Sequence, residues 1–283
     1  MPIALLFPGQ GSQTDDMRNV VSEALPELVE RAAHEVGVDP FERVGDGTQF
    51  AQPALYCASV ALWARAGSPR ADFIAGHSLG EIGALVAGGG ISIDDGLWLS
   101  ARRGELMQRI ADSRPPGGML ALLGDEAVTR RIAAAHWLTV ANDNAPGQLI
   151  LSGRSEDLDA AVNEAEAQGL KAMRLAVSGA FHTDAMAEGV PEFREALARI
   201  DVRPPRVPVF SSVTARPFGD VRAELAQALV TPVRWRDTLF ALRDRGADRF
   251  VEVGPGKVLK GLVRRTLPEV EASVLGQRQV AHV

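Results

Sequence analysis

Residues 72–90 read DFIAGHSLGEIGALVAGGG: an apolar run, a G-x-S-x-G pentapeptide, and a second apolar run. The first run predicts a buried strand and the second a helix. A serine on a tight turn between the two is typical of a nucleophile elbow, which exposes the hydroxyl at the start of the helix. Gly76 and Gly80 let strand and helix approach closely around Ser78, because neither carries a Cβ. The pentapeptide alone is equally compatible with a glycine-rich turn that contains a serine by chance.

The rest of the chain alternates strand and helix patterns. Residues 3–7 form a short continuous apolar run of the kind found in a buried parallel strand, and further strands are predicted at 207–211 and 250–253. Helical patterns lie between them, at residues 20–36, from Gln52 with Pro53 in the first turn, and at 93–110, 191–199 and 236–245. The alternation predicts an α/β fold with a mainly parallel sheet. Gly104 weakens its helix by about 1 kcal/mol relative to alanine, which predicts a close packing contact there.

A second unit is expected after the Pro/Gly-rich residues 113–118. Strands are predicted at 119–123, 138–141, 148–151 and 172–177, and helices at 125–135 and 155–168. The turn-forming residues 142–147 would join the second and third of these strands. The order βαββαβ is that of a ferredoxin-like unit. We therefore expect a large hydrolase-like domain formed by residues 1–115 and 179–283, with residues 116–178 inserted into it.

The net charge, the cysteine content and the lengths of the apolar runs argue against several classes of protein. The net charge of −6 argues against non-specific nucleic-acid binding. Cys57 is the only cysteine, so no internal disulfide and no thiolate metal cluster are expected, and its apolar surroundings predict a core position. The N-terminus has the pattern of a strand and lacks the basic region of a signal peptide. No apolar run approaches the ~20 residues that span a bilayer. A cytoplasmic protein without membrane attachment is expected.

A serine nucleophile needs a base to remove its proton, and histidine is the usual one. The chain has five histidines: His34 and His136 in helical patterns, His77 beside Ser78, His182 in a loop, and His282 in the C-terminal tail. The helical and terminal ones are expected at the surface or paired with a neighbour. His77 should point away from Ser78 and act in packing. Elimination leaves His182, where the chain re-enters the large domain.

Six motifs occur in order along the chain: residues 7–13 (FPGQGSQ), 76–81 (GHSLGE), 103–104 (RG), 142–148 (NDNAPGQ), 180–182 (AFH) and 252–256 (EVGPG). Together they resemble the malonyl-CoA:acyl carrier protein transacylases of fatty-acid and polyketide synthesis. The resemblance runs from about residue 3 to about residue 267. It implies the same two-unit α/β fold and a ping-pong transfer of malonyl from coenzyme A to an acyl carrier protein.

The resemblance also implies roles for single residues. Ser78 would become acylated, and His182 would act as general base and then as general acid. The backbone N–H groups of Gln10 and Leu79 would form the oxyanion hole. Arg103 would hold the free carboxylate of the malonyl group, which suits a guanidinium because it can form two parallel hydrogen bonds.

Three further positions match the pattern of the family, and a fourth departs from it. Gln52 and Asn144 would line the site. Phe181 would fill the space that the methyl branch of methylmalonyl needs, which is worth only ~1–3 kcal/mol of discrimination. Many relatives carry glutamine or asparagine where this chain has Ala228, but the implied role is that of a backbone carbonyl orienting the histidine and should survive.

The implied acceptor is the phosphopantetheine thiol of an acidic carrier protein. Lys257, Lys260, Arg264 and Arg265 fall along one side of a predicted helix starting at Lys257, and we call them the basic patch. The patch either contacts the carrier or coenzyme A phosphates, or is a solvated helix face. The resemblance implies malonyl-CoA as the substrate and no metal or redox cofactor. A monomer is expected.

Three alternatives remain open at this stage. The first is a serine esterase or thioesterase with the same elbow, for which Asp143, Asp157 or Asp159 would be nominated as the third triad member. The second is an inactive relative that only docks carriers. The third is a transferase with another duty, either a trans-acting polyketide acyltransferase or one that serves malonate decarboxylase.

Overall fold

The computed structural model describes residues 1–177 and 179–276, so His282 lies outside the described residues. The strands are β1 Ile3–Phe7, β2 Phe73–Gly76, β3 Gly117–Leu123, β4 Thr139–Ala145, β5 Gln148–Arg154, β6 Lys171–Arg174, β7 Val209–Ser211, β8 Arg216–Pro217, β9 Arg249–Glu252 and β10 Glu271–Val274. The helices are α1 Met17–Ala24, α2 Glu27–Val36, α3 Thr48–Arg65, α4 Gly80–Ala87, α5 Ile93–Asp112, α6 Glu126–Ala135, α7 Ser155–Ala167, α8 Gly189–Ala198, α9 Val221–Gln227, α10 Trp235–Asp244 and α11 Val258–Thr266. Two 3-10 helices span Pro40–Asp46 and Asp184–Met186.

Six strands form the main sheet in the order β10-β9-β1-β2-β7-β8. All pairs are parallel except β7 with β8. The prediction of an α/β fold with a mainly parallel sheet is confirmed. Because the strands run in parallel, β1, β2 and β9 deliver the loops after Phe7, Gly76 and Glu252 to one edge of the sheet. Ligands of open α/β sheets bind at such an edge.

Both faces of the main sheet are buried, which explains the continuous apolar runs of β1 and β2. Along β1, Leu5 and Phe7 face one core, and Ala4 and Leu6 face another. The first core receives α1 to α5, α8 and α9, and the second receives α10 and α11. Gly104 on α5 is packed so closely that an added Cβ would lie 2.8 Å from the carbonyl oxygen of Thr48 at the start of α3. This contact accounts for a glycine inside α5.

A second, antiparallel sheet has the order β4-β5-β3-β6 and carries α6 and α7 over a core of its own. It is tied to the main unit through backbone hydrogen bonds on both sides of Val233: Asp143 N–H donates to the Val233 carbonyl (2.9 Å), and Val233 N–H donates to the Ala141 carbonyl (2.8 Å). Arg236 on α10 adds ion pairs to Glu126 and Asp143, each at 2.6 Å. These contacts hold β4 against the main unit.

Several predicted boundaries are wrong. The helix expected over 20–36 is two helices that break at Leu25 and Pro26, because proline has no N–H to donate and its ring clashes with the preceding turn. Helix α3 begins at Thr48, so Pro53 lies in its second turn and not in the first. Asn142 to Ala145 extend β4 through two irregular positions, so only Pro146 and Gly147 form the turn.

The sequence does not predict strands β8 and β10 or helix α9, because two, four and seven residues are too few for a clear periodicity. Cys57 is fully buried on α3, and burial raises the pKa of its thiol. Among the described residues no helix is long and apolar enough to cross a membrane, and none of them form a cluster of three or more potential metal ligands from His, Cys, Asp and Glu.

Candidate active site

Ser78 lies on the turn between β2 and α4, in the left-handed backbone region with φ 53°. The two glycines that flank it are required, because a Cβ at either position would collide with neighbouring backbone atoms. A Cβ on Gly76 would lie 2.1 Å from the N of Glu81, and one on Gly80 would lie 2.0 Å from the carbonyl oxygen of Phe7. Residues held at positive φ without being glycine cost of order 1–3 kcal/mol and cluster at functional sites. The turn therefore has the geometry of a nucleophile elbow.

His182 faces the serine directly. Its Nε2 lies 2.8 Å from Ser78 Oγ, and its Nδ1 lies 2.8 Å from the backbone carbonyl oxygen of Ala228. A carbonyl only accepts hydrogen bonds, so Nδ1 carries the proton and Nε2 is left as the acceptor for the serine hydroxyl. The carbonyl of Ala228 occupies the place where many serine enzymes have a carboxylate. None of Asp143, Asp157 and Asp159 bonds to His182, and Asp143 is paired with Arg236 instead.

The imidazole of His182 is neutral at ordinary pH. The side chain is buried, and burial together with the nearby positive charge of Arg103 lowers its pKa from 6.5 to about 3. A neutral imidazole can accept the proton of Ser78 at once. His182 also has positive φ, at 58°, so both members of the pair are held in a backbone conformation that few L-residues adopt.

Arg103 is buried beside the nucleophile. Its Nη2 donates to Ser78 Oγ at 3.1 Å, and its Nη1 donates to Gln52 Oε1 at 2.8 Å. Only 4% of the residue is exposed, and burial lowers the pKa of the guanidinium to about 10, which leaves it charged at neutral pH. Gln52 therefore contacts Arg103 and not the serine itself.

The loop after β1 packs against the elbow. A Cβ on Gly9 would lie 2.6 Å from the carbonyl oxygen of His77, which places the Gln10 backbone next to Ser78. In the part of the chain that the structure describes, the backbone N–H groups of Gln10 and Leu79 donate to no protein acceptor. Two unpartnered N–H groups near a nucleophile are suited to an oxyanion.

His77, Asn144 and Phe181 lie around this centre without touching the serine hydroxyl. His77 Nε2 donates to Asn144 Oδ1 at 2.8 Å, and its ring packs edge-on against Trp235, with 5.3 Å between the ring centroids. His77 thus points away from Ser78 and joins β4 to the elbow. Asn144 is in contact with His77. Phe181 precedes His182 and is 97% buried in the first core.

Two buried polar residues at the site were not assigned a role from the sequence. Thr48 donates to Gln10 Oε1 at 2.5 Å and accepts from Gln52 Nε2 at 2.9 Å. Glu81 accepts from Ser212 N (2.6 Å) and Oγ (3.0 Å), and burial raises its pKa to about 7. The signal for Glu81 is a single charge in an otherwise apolar helix. The signal for Thr48 is its spacing of four residues from Gln52 on one helix face.

The chain matches the acyl transferase domain family over residues 5–281. This chain belongs to the acyl transferase family. The polyketide biosynthesis protein ThaF of Burkholderia thailandensis is 41% identical over 94% of this chain, which spans 24% of that longer protein. The polyketide biosynthesis malonyl CoA-acyl carrier protein transacylase BaeC of Bacillus velezensis is 38% identical, with 96% of this chain and 99% of BaeC covered. The crystal structure of FabD, the malonyl-CoA:acyl carrier protein transacylase of Xanthomonas oryzae, has a TM-score of 0.89 at 36% identity, covering 98% of this chain and 95% of that one.

The acyl transferase has a groove of about 700 Å³ beside the site, lined by Gln10, Thr48 and residues 175–177 among others. A cavity of about 800 Å³ lies at the other end of β2, lined by Ile74 and Arg206 among others, and shares no residue with the centre around Ser78. The larger cavity therefore contains none of the residues that surround Ser78 and His182.

The basic patch lies on and just before α11. Lys257, Arg264 and Arg265 are exposed, Lys260 is partly buried, and none of the four forms an ion pair with any described residue. Gly256, one residue before the patch, packs against the backbone of Ser12 in the loop that carries Gln10. The patch therefore starts at the same sheet edge as the active site.

Proposed function

We propose that this acyl transferase moves a malonyl group from coenzyme A to the phosphopantetheine thiol of an acyl carrier protein. The observation that carries the proposal is the buried guanidinium of Arg103, 3.1 Å from Ser78 Oγ. The charge of nearby Glu81 favours the charged guanidinium, but no carboxylate among the described residues forms an ion pair with it. A buried cation without a direct ionic partner is best explained by an acyl group with a carboxylate. A plain esterase needs no such cation. The names of BaeC and FabD agree with the same substrate.

In the first half-reaction, His182 Nε2 takes the proton of Ser78 as Oγ attacks the thioester carbonyl. The backbone N–H groups of Gln10 and Leu79 receive the oxyanion, and such donors are typically worth about 2.7–4 kcal/mol each in the transition state. The carbon–sulfur bond breaks, and His182 returns the proton to the sulfur of coenzyme A. The product is malonyl-serine and the free thiol of coenzyme A.

In the second half-reaction the carrier thiol gives its proton to His182 and its sulfur attacks the ester carbonyl of malonyl-serine. The bond to Ser78 Oγ breaks, and the proton on His182 returns to that oxygen. Because the acyl group and one proton are all that move, the exchange needs no metal or redox cofactor. Ala228 keeps the imidazole in the required tautomer through both steps.

The residues beside Ser78 and His182 would determine which acyl group the enzyme accepts. Arg103, held by Gln52, would form two parallel hydrogen bonds with the malonyl carboxylate. Phe181, immediately before His182, would take the volume needed by a methyl branch. This preference is small, about 1–3 kcal/mol.

We also propose that residues 116–178 act as an inserted ferredoxin-like unit between residues 1–115 and 179–283. The support is the order β3-α6-β4-β5-α7-β6 with the sheet order β4-β5-β3-β6. The insert would supply one wall of the site, since Asn144 on β4 bonds to His77 in the elbow. The basic patch would contact the acidic carrier, because no described residue forms an ion pair with it and it begins beside the loop of Gln10.

Intact mass spectrometry tests the proposal. With malonyl-CoA alone the protein should gain one malonyl group, and adding a carrier that bears phosphopantetheine should move that group to the carrier. Ser78→Ala should abolish both events, whereas Ser155→Ala at the distant start of α7 should change neither. Release of free malonate without malonyl-carrier would indicate a hydrolase. Carrier binding without any Ser78-dependent transfer would indicate a docking protein.

A second candidate concerns the pathway. The names of ThaF and BaeC both refer to polyketide biosynthesis, which favours a polyketide carrier as the acceptor. In a competition between a fatty-acid carrier and a polyketide carrier at equal concentration, the polyketide carrier should be loaded first. Equal loading, or preference for the fatty-acid carrier, would count against this assignment.

A further inference from the structure

A continuous row of hydrogen bonds joins the cation to the oxyanion loop. Arg103 Nη1 donates to Gln52 Oε1 (2.8 Å), Gln52 Nε2 donates to Thr48 Oγ1 (2.9 Å), and Thr48 Oγ1 donates to Gln10 Oε1 (2.5 Å). Arg103, Gln52 and Thr48 are each at least 96% buried. We call this row the Thr48 relay. It connects α5, α3 and the loop after β1, which are far apart in sequence.

Arg103, the first residue of the relay, determines which atom donates and which accepts in every bond that follows. A guanidinium only donates, so the amide of Gln52 must turn its oxygen toward Arg103 and its NH₂ toward Thr48. Thr48 Oγ1 accepts that bond, so its own hydroxyl proton is donated to Gln10 Oε1. The positive charge therefore orients three side chains in succession, and hydrogen bonds in such a chain strengthen one another.

The far end of the relay is Gln10, whose own backbone N–H is a proposed oxyanion donor. In the described residues that N–H has no protein acceptor, and the loop around it contains Gly9 and Gly11, so the loop's position depends on side-chain anchors. Thr48 contributes one such anchor from the rigid start of α3, where its own backbone N–H is held by Gln108 Oε1 at 2.9 Å. An oxyanion donor must lie within a few tenths of an ångström of its place.

We propose that Thr48 is a positioning residue that couples the carboxylate-binding Arg103 to the oxyanion-binding loop of Gln10. The inference rests on the proposed function and extends it. The hydroxyl acts as acceptor and donor at once, which only threonine or serine can do at this position. The relay would keep the oxyanion donor in place and hold Arg103 in the orientation that receives the carboxylate.

The test is the single-turnover rate of Ser78 acylation, followed by rapid quench and intact mass spectrometry with malonyl-CoA and acetyl-CoA. Thr48→Val keeps the shape and removes both hydrogen bonds. It should slow acylation by about tenfold with acetyl-CoA, equivalent to about 1.4 kcal/mol, and by more with malonyl-CoA. Thr48→Ser should restore the rate to within about twofold. Thr129→Val on α6 removes a buried hydroxyl that bonds only within its own helix turn, and should leave both rates unchanged.

A double-mutant cycle of Thr48→Val and Gln10→Ala separates the coupling between these two residues from a general loss of stability. Gln10→Ala removes the side chain that Thr48 holds but keeps the backbone N–H. The double variant should be no slower than the slower single variant, because both changes break the same link. Wild-type rates in Thr48→Val, failure of Thr48→Ser to rescue, or additive losses in the cycle would each overturn the proposal. Absence of malonyl-serine in the wild-type protein would instead overturn the proposed function.

Discussion

Replacing Arg103 by alanine is the sharpest test of how this site recognises its acyl group. The guanidinium is buried, bonds to Gln52 Oε1 and lies 3.1 Å from Ser78 Oγ, where the acyl group must sit. Removing one partner of a buried, hydrogen-bonded charge pair typically costs about 2–5 kcal/mol. That range corresponds to a loss of about 30-fold to several thousand-fold in kcat/KM for malonyl-CoA.

The acetyl group has no carboxylate and should be affected much less. It would lose the contact between Arg103 and Ser78 Oγ and the orientation that Arg103 gives to the Thr48 relay, so a reduction of about tenfold is expected. The substitution also leaves Gln52 Oε1 without its donor, which should lower the free energy of unfolding by about 1–3 kcal/mol. Measuring at a temperature well below the unfolding midpoint separates that effect from the loss of recognition.

The assay is the release of coenzyme A thiol in the presence of carrier, with malonyl-CoA and acetyl-CoA run in parallel. Arg102→Ala is the matched control, because Arg102 is the adjacent arginine but its side chain is 36% exposed and pairs with Glu105 at 2.7 Å. The control should leave the malonyl-to-acetyl ratio unchanged. Equal losses for the two acyl groups in Arg103→Ala would refute the carboxylate-binding role.

Two further predictions concern the surface and the core. Reversing charge with Lys260→Glu and Arg264→Glu should weaken carrier binding by about tenfold or more at low salt and flatten its salt dependence. The control pair Arg194→Glu on α8 and Arg199→Glu just after it should do neither. Unchanged affinity in the first pair would make the patch an ordinary solvated face. Burial raises the pKa of Glu81 from 4.5 to about 7, so between these values the folded protein holds a proton that the unfolded chain has lost. The free energy of unfolding should therefore fall by about 3 kcal/mol as the pH rises through this window. Urea unfolding at pH 5 and pH 8 measures this fall, and the Glu81→Gln variant should lack the part that comes from Glu81. Identical pH dependence in the two proteins would contradict this.

The fold class and the tight turn that carries Ser78 could be predicted from the sequence because their signals are local. The apolar runs of β1 and β2 are continuous, as expected for strands buried on both faces, and G-x-S-x-G marks a turn whose glycines have no room for a Cβ. The boundaries were less accurate. Asn142 to Ala145 have turn-forming side chains, yet they form part of β4 because pairing with β5 and contact with Val233 satisfy their backbone.

The sequence by itself determined that a strand, a tight turn with Ser78 and a helix follow one another, and that a parallel α/β sheet surrounds them. Only the tertiary structure decided which groups meet that serine. His182 follows Ser78 by 104 positions, the carbonyl that orients it belongs to Ala228, and the relay from Arg103 to Gln10 passes through Thr48 and Gln52. These contacts depend on how parallel strands bring distant loops to one sheet edge. Helical and strand periodicity describe neighbours a few residues apart, and so carry no information about such distant contacts.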